Sequence, residues 1–245
     1  MNPNRLRSLF ITLVMLSASM ALLIAPPAVA TTWNLAADFG DSQNNPNGPW
    51  AYWQGSTLLP YQGTLSDGLS FMTHTYAPGT QWLSWGGPGF LPAFFCNSSW
   101  SSDAIGIFAW DSMNGVGDPL ARLTWTAPAS GVIDISGFIY YFPQSYPYST
   151  DFSLYLGSTE LMNGTVSLWA HNTSATAYDL SGDGSFSNLP VTAGEVLSFD
   201  FSRTPGYTGG GAWMNLVVST PEPGTPAMLC VGLLGLVGTR RKLSK

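Results

Sequence analysis

Between residues 31 and 219 apolar and polar side chains alternate in short runs, and no run shows the 3.6-residue period of a helix. Ala121, Leu123, Trp125 and Ala127 share one face of a predicted strand, with Arg122, Thr124 and Thr126 on the other. Pro128-Ala129-Ser130-Gly131 then supplies turn chemistry. Ile133 and Ile135 oppose Asp134 and Ser136, and the strand resumes at Phe138–Tyr141 beyond Gly137, where a bulge is expected. Phe152, Leu154 and Leu156 alternate with Ser153 and Tyr155, and Val166 and Leu168 with Ser167 and Trp169. Leu197, Phe199 and Phe201 alternate with Ser198 and Asp200 after the turn Ala193-Gly194, and Trp213–Val218 closes the series. The earlier part is looser. Asn44–Pro49 reads as a loop, and Trp50–Gln54 and Ala104–Trp110 read as strands. Short strands between loops rich in Gly, Pro, Ser and Asn predict one all-β domain, an antiparallel β-sandwich or jelly roll.

The two ends follow other patterns. Arg5 and Arg7 precede an apolar run from Leu9 to Ala25, then Pro26-Pro27 and the small residues Ala28 and Ala30. A basic start, an apolar centre and an A-x-A site form a secretory signal peptide over residues 1–30, expected to be cut after Ala30. A retained membrane anchor is the competing reading, since 17 helical residues reach ~25 Å. Either reading exports the middle of the chain. At the other end, Pro221-Glu222-Pro223-Gly224 leads into an apolar stretch, Ala227–Gly238, and then Arg240-Arg241-Lys242. Twelve helical residues cover ~18 Å, short of a ~30 Å hydrocarbon core, and the basic cluster keeps that end cytoplasmic. Such a short transmembrane helix suits a molecule paused in the membrane rather than anchored for good.

Charge sharpens this division. The 245 residues hold 8 Lys+Arg and 14 Asp+Glu, and only 9% are charged. Six of the eight basic residues lie in the terminal segments, leaving Arg122 and Arg203 against 13 acidic residues between Thr31 and Thr220. Such a middle repels phosphate, so nucleic acid is excluded as a partner, whereas a neutral sugar or calcium is compatible. With 10 Trp, 13 Phe and 10 Tyr the chain has ample material for a core.

Val218-Ser219-Thr220-Pro221-Glu222-Pro223, then Leu229, Gly232–Leu236 and Arg240-Arg241-Lys242, resemble the PEP-CTERM sorting signal of Gram-negative bacteria. The resemblance implies recognition by an exosortase, a membrane cysteine protease or transpeptidase, and processing at or near Pro221-Glu222-Pro223. It also implies a surface protein of a species that makes exopolysaccharide and biofilm. An ordinary tail anchor with incidental prolines is the alternative. More loosely, Asn45–Tyr52, Leu123–Gly131 and Val191–Glu195 are similar to segments of other PEP-CTERM ectodomains, with Glu195 where Asp is commoner. Those ectodomains look like jelly rolls of carbohydrate-binding-module type; the resemblance carries over a fold and no binding residue.

Candidate chemistry in the middle is sparse. Trp33, Trp50, Trp53, Trp82, Trp85, Trp100, Trp110, Trp125, Trp169 and Trp213 could stack on sugar faces or fill a core. In a regular strand Trp50 and Trp53 point to opposite faces, as do Trp82 and Trp85, so a flat platform would need loop geometry. Asp179, Ser181 and Asp183 with Gly184 space oxygens as a calcium loop does, but Pro190 stands where an EF-hand needs Glu. A solvated Asx turn explains the same residues. The only histidines, His74 and His171, sit in no triad or metal motif, so no catalytic residue is assigned. No cofactor is expected apart from calcium at that loop. Cys96 is the sole thiol outside the tail, where Cys230 lies, so it is expected to be buried and without an internal disulfide.

The sequence therefore predicts three segments: a signal peptide (1–30), a sandwich ectodomain (31–219) and a sorting signal (220–245). The expected partners are the Sec translocon, signal peptidase, an exosortase-like enzyme and extracellular polysaccharide. A structural or adhesive, non-enzymatic role in an exopolysaccharide matrix is expected. A carbohydrate-binding module is the alternative, and a surface hydrolase trails both.

Overall fold

The computed structural model describes residues 30–39, 45–64, 70–73, 92–96, 103–111, 120–141, 148–167, 176–181 and 186–221. The expected signal-peptide and tail helices lie outside these residues. No helix among the described residues is long and apolar enough to cross a membrane. Thr32–Thr220 forms one compact unit.

The strands run in the order β1 (Thr32–Asn34), β2 (Trp50–Gln54), β3 (Thr57–Leu58), β4 (Tyr61–Thr64), β5 (Ser70–Thr73), β6 (Ala93–Cys96), β7 (Ile105–Asp111) and β8 (Ala121–Thr126). They continue with β9 (Gly131–Tyr141), β10 (Ser149–Leu156), β11 (Thr159–Ser167), β12 (Tyr178–Asp179), β13 (Leu189–Val191), β14 (Val196–Arg203) and β15 (Gly209–Ser219). One sheet follows the order β12-β9-β15-β7-β6-β5-β4, with β1 on β15 and β13 on β9; the other follows β11-β10-β14-β8-β2-β3. All the strand pairings are antiparallel. The protein is an all-β sandwich, as its alternating pattern predicts.

Alternation selects the inner faces. Leu123 and Trp125 of β8, Leu197, Phe199 and Phe201 of β14 and Phe152 and Leu154 of β10 point inward from one sheet. Ile105 and Ile107 of β7, Ile133, Ile135 and Ile139 of β9, and Met214, Leu216 and Val218 of β15 meet them from the other. Each such side chain, removed from water, contributes about 1.5–3 kcal/mol. A second apolar cluster lies around Phe95, Phe108, Tyr148 and Trp213. There Phe95 packs edge-on against Trp213 at 5.5 Å. The two strands carrying them flank Gly106 of β7, where a Cβ would fall 2.0 Å from the Phe95 ring. Only the absence of a side chain there lets the two rings meet.

Two expectations need correction. β9 runs through Gly137 in unbroken register with β15, so Gly137 forms no bulge. Its φ of 133° and the Asn215 carbonyl oxygen, 2.1 Å from a hypothetical Cβ, show that glycine serves a close backbone approach. Cys96 is half-buried rather than enclosed, and it forms no disulfide.

The N-terminal segment is more ordered than its sequence suggests. After β1 comes a single helical turn, α1 (Leu35–Asp38), capped by Asn34 Oδ1 accepting from Ala37 N at 3.1 Å. The loop after it is held by amides. Asn45 Nδ2 donates to the Tyr52 and Leu59 carbonyls (2.7 and 3.0 Å), and its Oδ1 accepts from Tyr52 N (3.0 Å). Trp50 Nε1 donates to Asp38 Oδ2 at 2.9 Å, tying α1 to β2.

Some polar groups are buried with the core. The Tyr52 hydroxyl and Trp125 Nε1 have no hydrogen-bond partner among the described residues. Burial lifts the Tyr52 hydroxyl above its ordinary value of 10.0, with the Asp38 and Cys96 charges adding to it. Burial also raises Tyr141, partly offset by a backbone hydrogen bond at Tyr148, and raises the Cys96 thiol above 9.0. In each case the fold favours the neutral form, so in the alkaline range the folded state holds more protons than the unfolded one. Stability supplied by these groups is therefore complete below the ordinary values and is lost as pH rises through them. The thermal midpoint should stay level around neutrality and fall from about pH 9 upward. A Tyr52→Phe variant should fall less steeply above pH 10, and identical profiles for the two proteins would refute this account.

Candidate functional site

A depression of about 320 Å³ lies on the nine-stranded sheet. Its floor is the β9–β15 pair, where Phe138 lies opposite Asn215 and Ser136 opposite Val217. Its wall is the segment carrying Ala177, Asp179 and Ser181, hydrogen-bonded to β9 through Leu180 N to the Gly137 carbonyl at 2.9 Å. Alternation explains the placement. Ile135, Ile139, Leu216 and Val218 point into the core, so their neighbours Ser136, Phe138, Asn215 and Val217 must point away from it.

Within the depression, Asp179 Oδ1 accepts from Ser181 N at 2.7 Å, an Asx turn that fixes the carboxylate. Ser181 Oγ lies 3.4 Å from Gly137 N. Asn215 donates its Nδ2 hydrogen to the Asp103 carbonyl, which orients the amide. The lining thus offers one half-buried aromatic ring, one carboxylate, one amide and serine hydroxyls, with no cation among the described residues. Such a set accepts hydrogen bonds from a polyhydroxylated ligand and repels an anionic one.

The residues singled out from sequence fall in different places. Asp179 and Ser181 come together here, whereas Asp183 lies outside the described residues. No group of three or more His, Cys, Asp or Glu that could hold a metal occurs among the described residues. Trp50 and Trp125 are core, and Trp213 is buried in the second cluster. Trp33 is half-buried and packs edge-on against Trp125 at 5.2 Å. Trp53 points away from Trp50, and its indole N–H donates to Thr124 Oγ1 at 2.9 Å. None of these five offers an exposed ring; the exposed large apolar side chains among the described residues are Val132 and Tyr207. Trp82, Trp85, Trp100 and Trp169 lie outside the described residues, as does the Trp110 side chain. His74 and His171 lie outside them too, as do Ala28 and the tail beyond Pro221, which includes Glu222, Pro223, Arg240, Arg241 and Lys242. Ala30 is exposed.

Sequence reasoning did not find Phe138 and Asn215 as partners. They are 77 positions apart and meet only through strand register. The signal that could have raised them is an aromatic and an amide on the polar face of otherwise alternating strands. The outer face of the six-stranded sheet is polar as well. There Arg122 is held by Asp200 in a two-pronged pair, Nε to Oδ1 at 2.6 Å and Nη2 to Oδ2 at 2.7 Å. The Asp200 hydrogen bond raises the Arg122 pKa further above its ordinary value. This pairing leaves Arg122 poorly placed to serve an anionic ligand.

Comparison with known proteins bears on the tail. Residues 219–242 match the PEP-CTERM protein-sorting motif. The chain is therefore an exported protein that an exosortase-like membrane enzyme recognises. It is membrane-anchored before processing and is then displayed at the surface or released. No curated protein matches the chain. Among solved structures it is similar to the K2 cleaved adhesin domain of Lys-gingipain, at 9% identity and a TM-score of 0.35, covering 79% of this chain and 100% of that one. It is also similar to a family 35 carbohydrate-binding module from Clostridium thermocellum, at 10% identity and 0.27, covering 78% and 98%. A third is the xylan-binding module CBM15, at 8% and 0.28, covering 80% and 100%. No ligand or residue is carried across from these structures.

Gly137 supports the floor of the depression. Replacing it with Ala puts a Cβ into the Asn215 carbonyl and enforces a disfavoured φ. Gly137→Ala should destabilise the fold by about 2 kcal/mol or more, since both backbone strain and a forced strand separation are involved. A chemical-denaturation midpoint within error of wild type would contradict the geometry.

Proposed function

We propose that the sandwich acts outside the cell as a non-catalytic matrix protein that holds neutral polysaccharide in the depression between β9, β15 and the Asp179 segment. The observation that carries this reading is the placement of Phe138 beside Asp179, Ser181 and Asn215, with no cation among the described lining residues. An aromatic face stacks on the apolar C–H face of a sugar ring, while acceptors around it bind the hydroxyls. The carboxylate and the surplus of 11 negative charges over residues 31–220 disfavour uronic-acid polymers and phosphorylated glycans. An adhesive or scaffolding role in the extracellular matrix is consistent with delivery to the cell surface. Calcium remains a candidate ligand of Asp179 with Asp183, and its effect on the melting temperature against chelator decides that separately.

Titration of the purified ectodomain with neutral and acidic polysaccharides tests the reading by calorimetry. Binding should be confined to neutral polymers. Phe138→Ala should weaken it about fivefold to tenfold, in line with the ~1 kcal/mol expected of one aromatic contact. Equal binding by Phe138→Ala and Asp179→Asn variants would remove the site from the proposal. No binding across the panel would leave a structural role without a sugar.

For the delivery step, the residues we assign are Pro221, Glu222 and Pro223 as the recognised element and Arg240, Arg241 and Lys242 as the cytoplasmic stop. The leader would leave through the Sec route with cleavage after Ala30. In the native host, Glu222→Ala, or Pro221→Ala with Pro223→Ala, should leave export intact and accumulate unprocessed protein in the inner membrane. Changing Arg240, Arg241 and Lys242 to Gln should let the tail slip through. Unaltered processing and location in all of these variants would show that these residues do not carry the signal.

A further inference from the structure

We infer that β1 is a stop that confines processing of the tail to bonds beyond Ser219. The inference rests on recognition by the exosortase-like enzyme and concerns where that enzyme can cut. β15 carries β9 along one side from Ala212 to Ser219, while on its other side β7 covers only Gly209–Met214. Without β1, Val217, Val218 and Ser219 would form the free edge of a strand. Thr32, Trp33 and Asn34 fill that edge, pairing with Ser219, Val218 and Val217 in turn. The last residues of β15 therefore sit inside the sheet, with partner strands on both sides and Val218 fully buried.

A peptide-bond-cleaving enzyme takes an extended segment whose backbone is free to pair with its own cleft. A doubly paired strand offers no such segment until it is pulled from the sheet. β1 is well seated for this role. Trp33 packs on the core Trp125, Asn34 caps α1, and Leu35 is fully buried beneath it. The matched motif begins at Ser219, the last residue of β15. The mature N-terminal segment thus determines which C-terminal bonds are accessible. Trp33 is a positioning residue, acting through β15 on the cut.

The test follows the full chain in its native host by intact-mass and C-terminal mass spectrometry, with pulse-chase rates. Wild type should yield a C-terminus at Thr220 or later. Trp33→Pro removes the indole anchor and a strand backbone donor together; it should give ragged ends reaching into Val217–Ser219, or processing accelerated several-fold. The converse variant joins Thr32→Cys to Ser219→Cys in a Cys96→Ser, Cys230→Ser background, locking two directly opposed positions. It should be cut at the wild-type bond at a rate within twofold of wild type. If Trp33→Pro does not fold, wild type and the locked variant decide. A wild-type cut inside β15, a tenfold slowing on locking, or a folded Trp33→Pro chain with wild-type end and rate would each overturn the inference while leaving the sorting reading intact. A mature chain that keeps Lys245 would overturn both.

Discussion

The structure depends on β15 being satisfied on every side. A central strand must pair its backbone with neighbours on both edges and cover side chains on both faces, or leave polar groups stranded in the core. β15 meets this with three partners: β9 along one edge, and β7 followed by β1 along the other. Its faces divide the work. Met214, Leu216 and Val218 pack into the inter-sheet core, while Trp213 joins the second cluster around Phe95. At its start, glycines replace side chains where the chain runs close to the opposite sheet. A Cβ at Gly210 would lie 3.0 Å from the Arg203 Cα, and one at Gly209 would lie 2.7 Å from the Tyr148 ring. The run Gly209-Gly210-Gly211 lies ahead of the expected strand Trp213–Val218 yet belongs to β15, and the close contacts at Gly209 and Gly210 exclude larger side chains there.

What could be read from sequence follows from how many faces of each strand meet water. β8, β14 and β9 have one buried and one partly solvated face, so period-two alternation marked them, and Trp50–Gln54 was recovered residue for residue. β5 and β6 escaped because Ser70–Thr73 are all buried and Ala93–Phe95 likewise, which erases the alternation. β1 and α1 are too short for any period and exist through tertiary contacts, namely pairing with β15 and the Asn34 cap. Asn45 and Asn47 looked like loop residues and are; their amides also bond carbonyls of Asp38, Tyr52 and Leu59. The depression was half legible. Asp179 and Ser181 stand together in sequence, but Phe138 and Asn215 become neighbours only when register is known.

The charge distribution gains meaning from the same structure. Only Arg122 and Arg203 are basic between residues 31 and 220. Arg122 is held by Asp200 across β8 and β14. Arg203 donates to the Tyr207 carbonyl at 2.7 Å, closing the turn before β15. Both cations are thus engaged within the fold. The remaining basic residues lie in the terminal segments, so the two signs of charge are separated along the chain.

This separation meets its limit at residues 217–221. Val218 is core, Ser219 ends β15 and begins the matched motif, and Pro221 can donate no ladder hydrogen bond. Proline after a sheet end halts further pairing, so the strand cannot lengthen into the tail by recruiting the motif. In the inferred scheme, β15 is bounded by Pro221 on one side and by its pairing with β1 on the other.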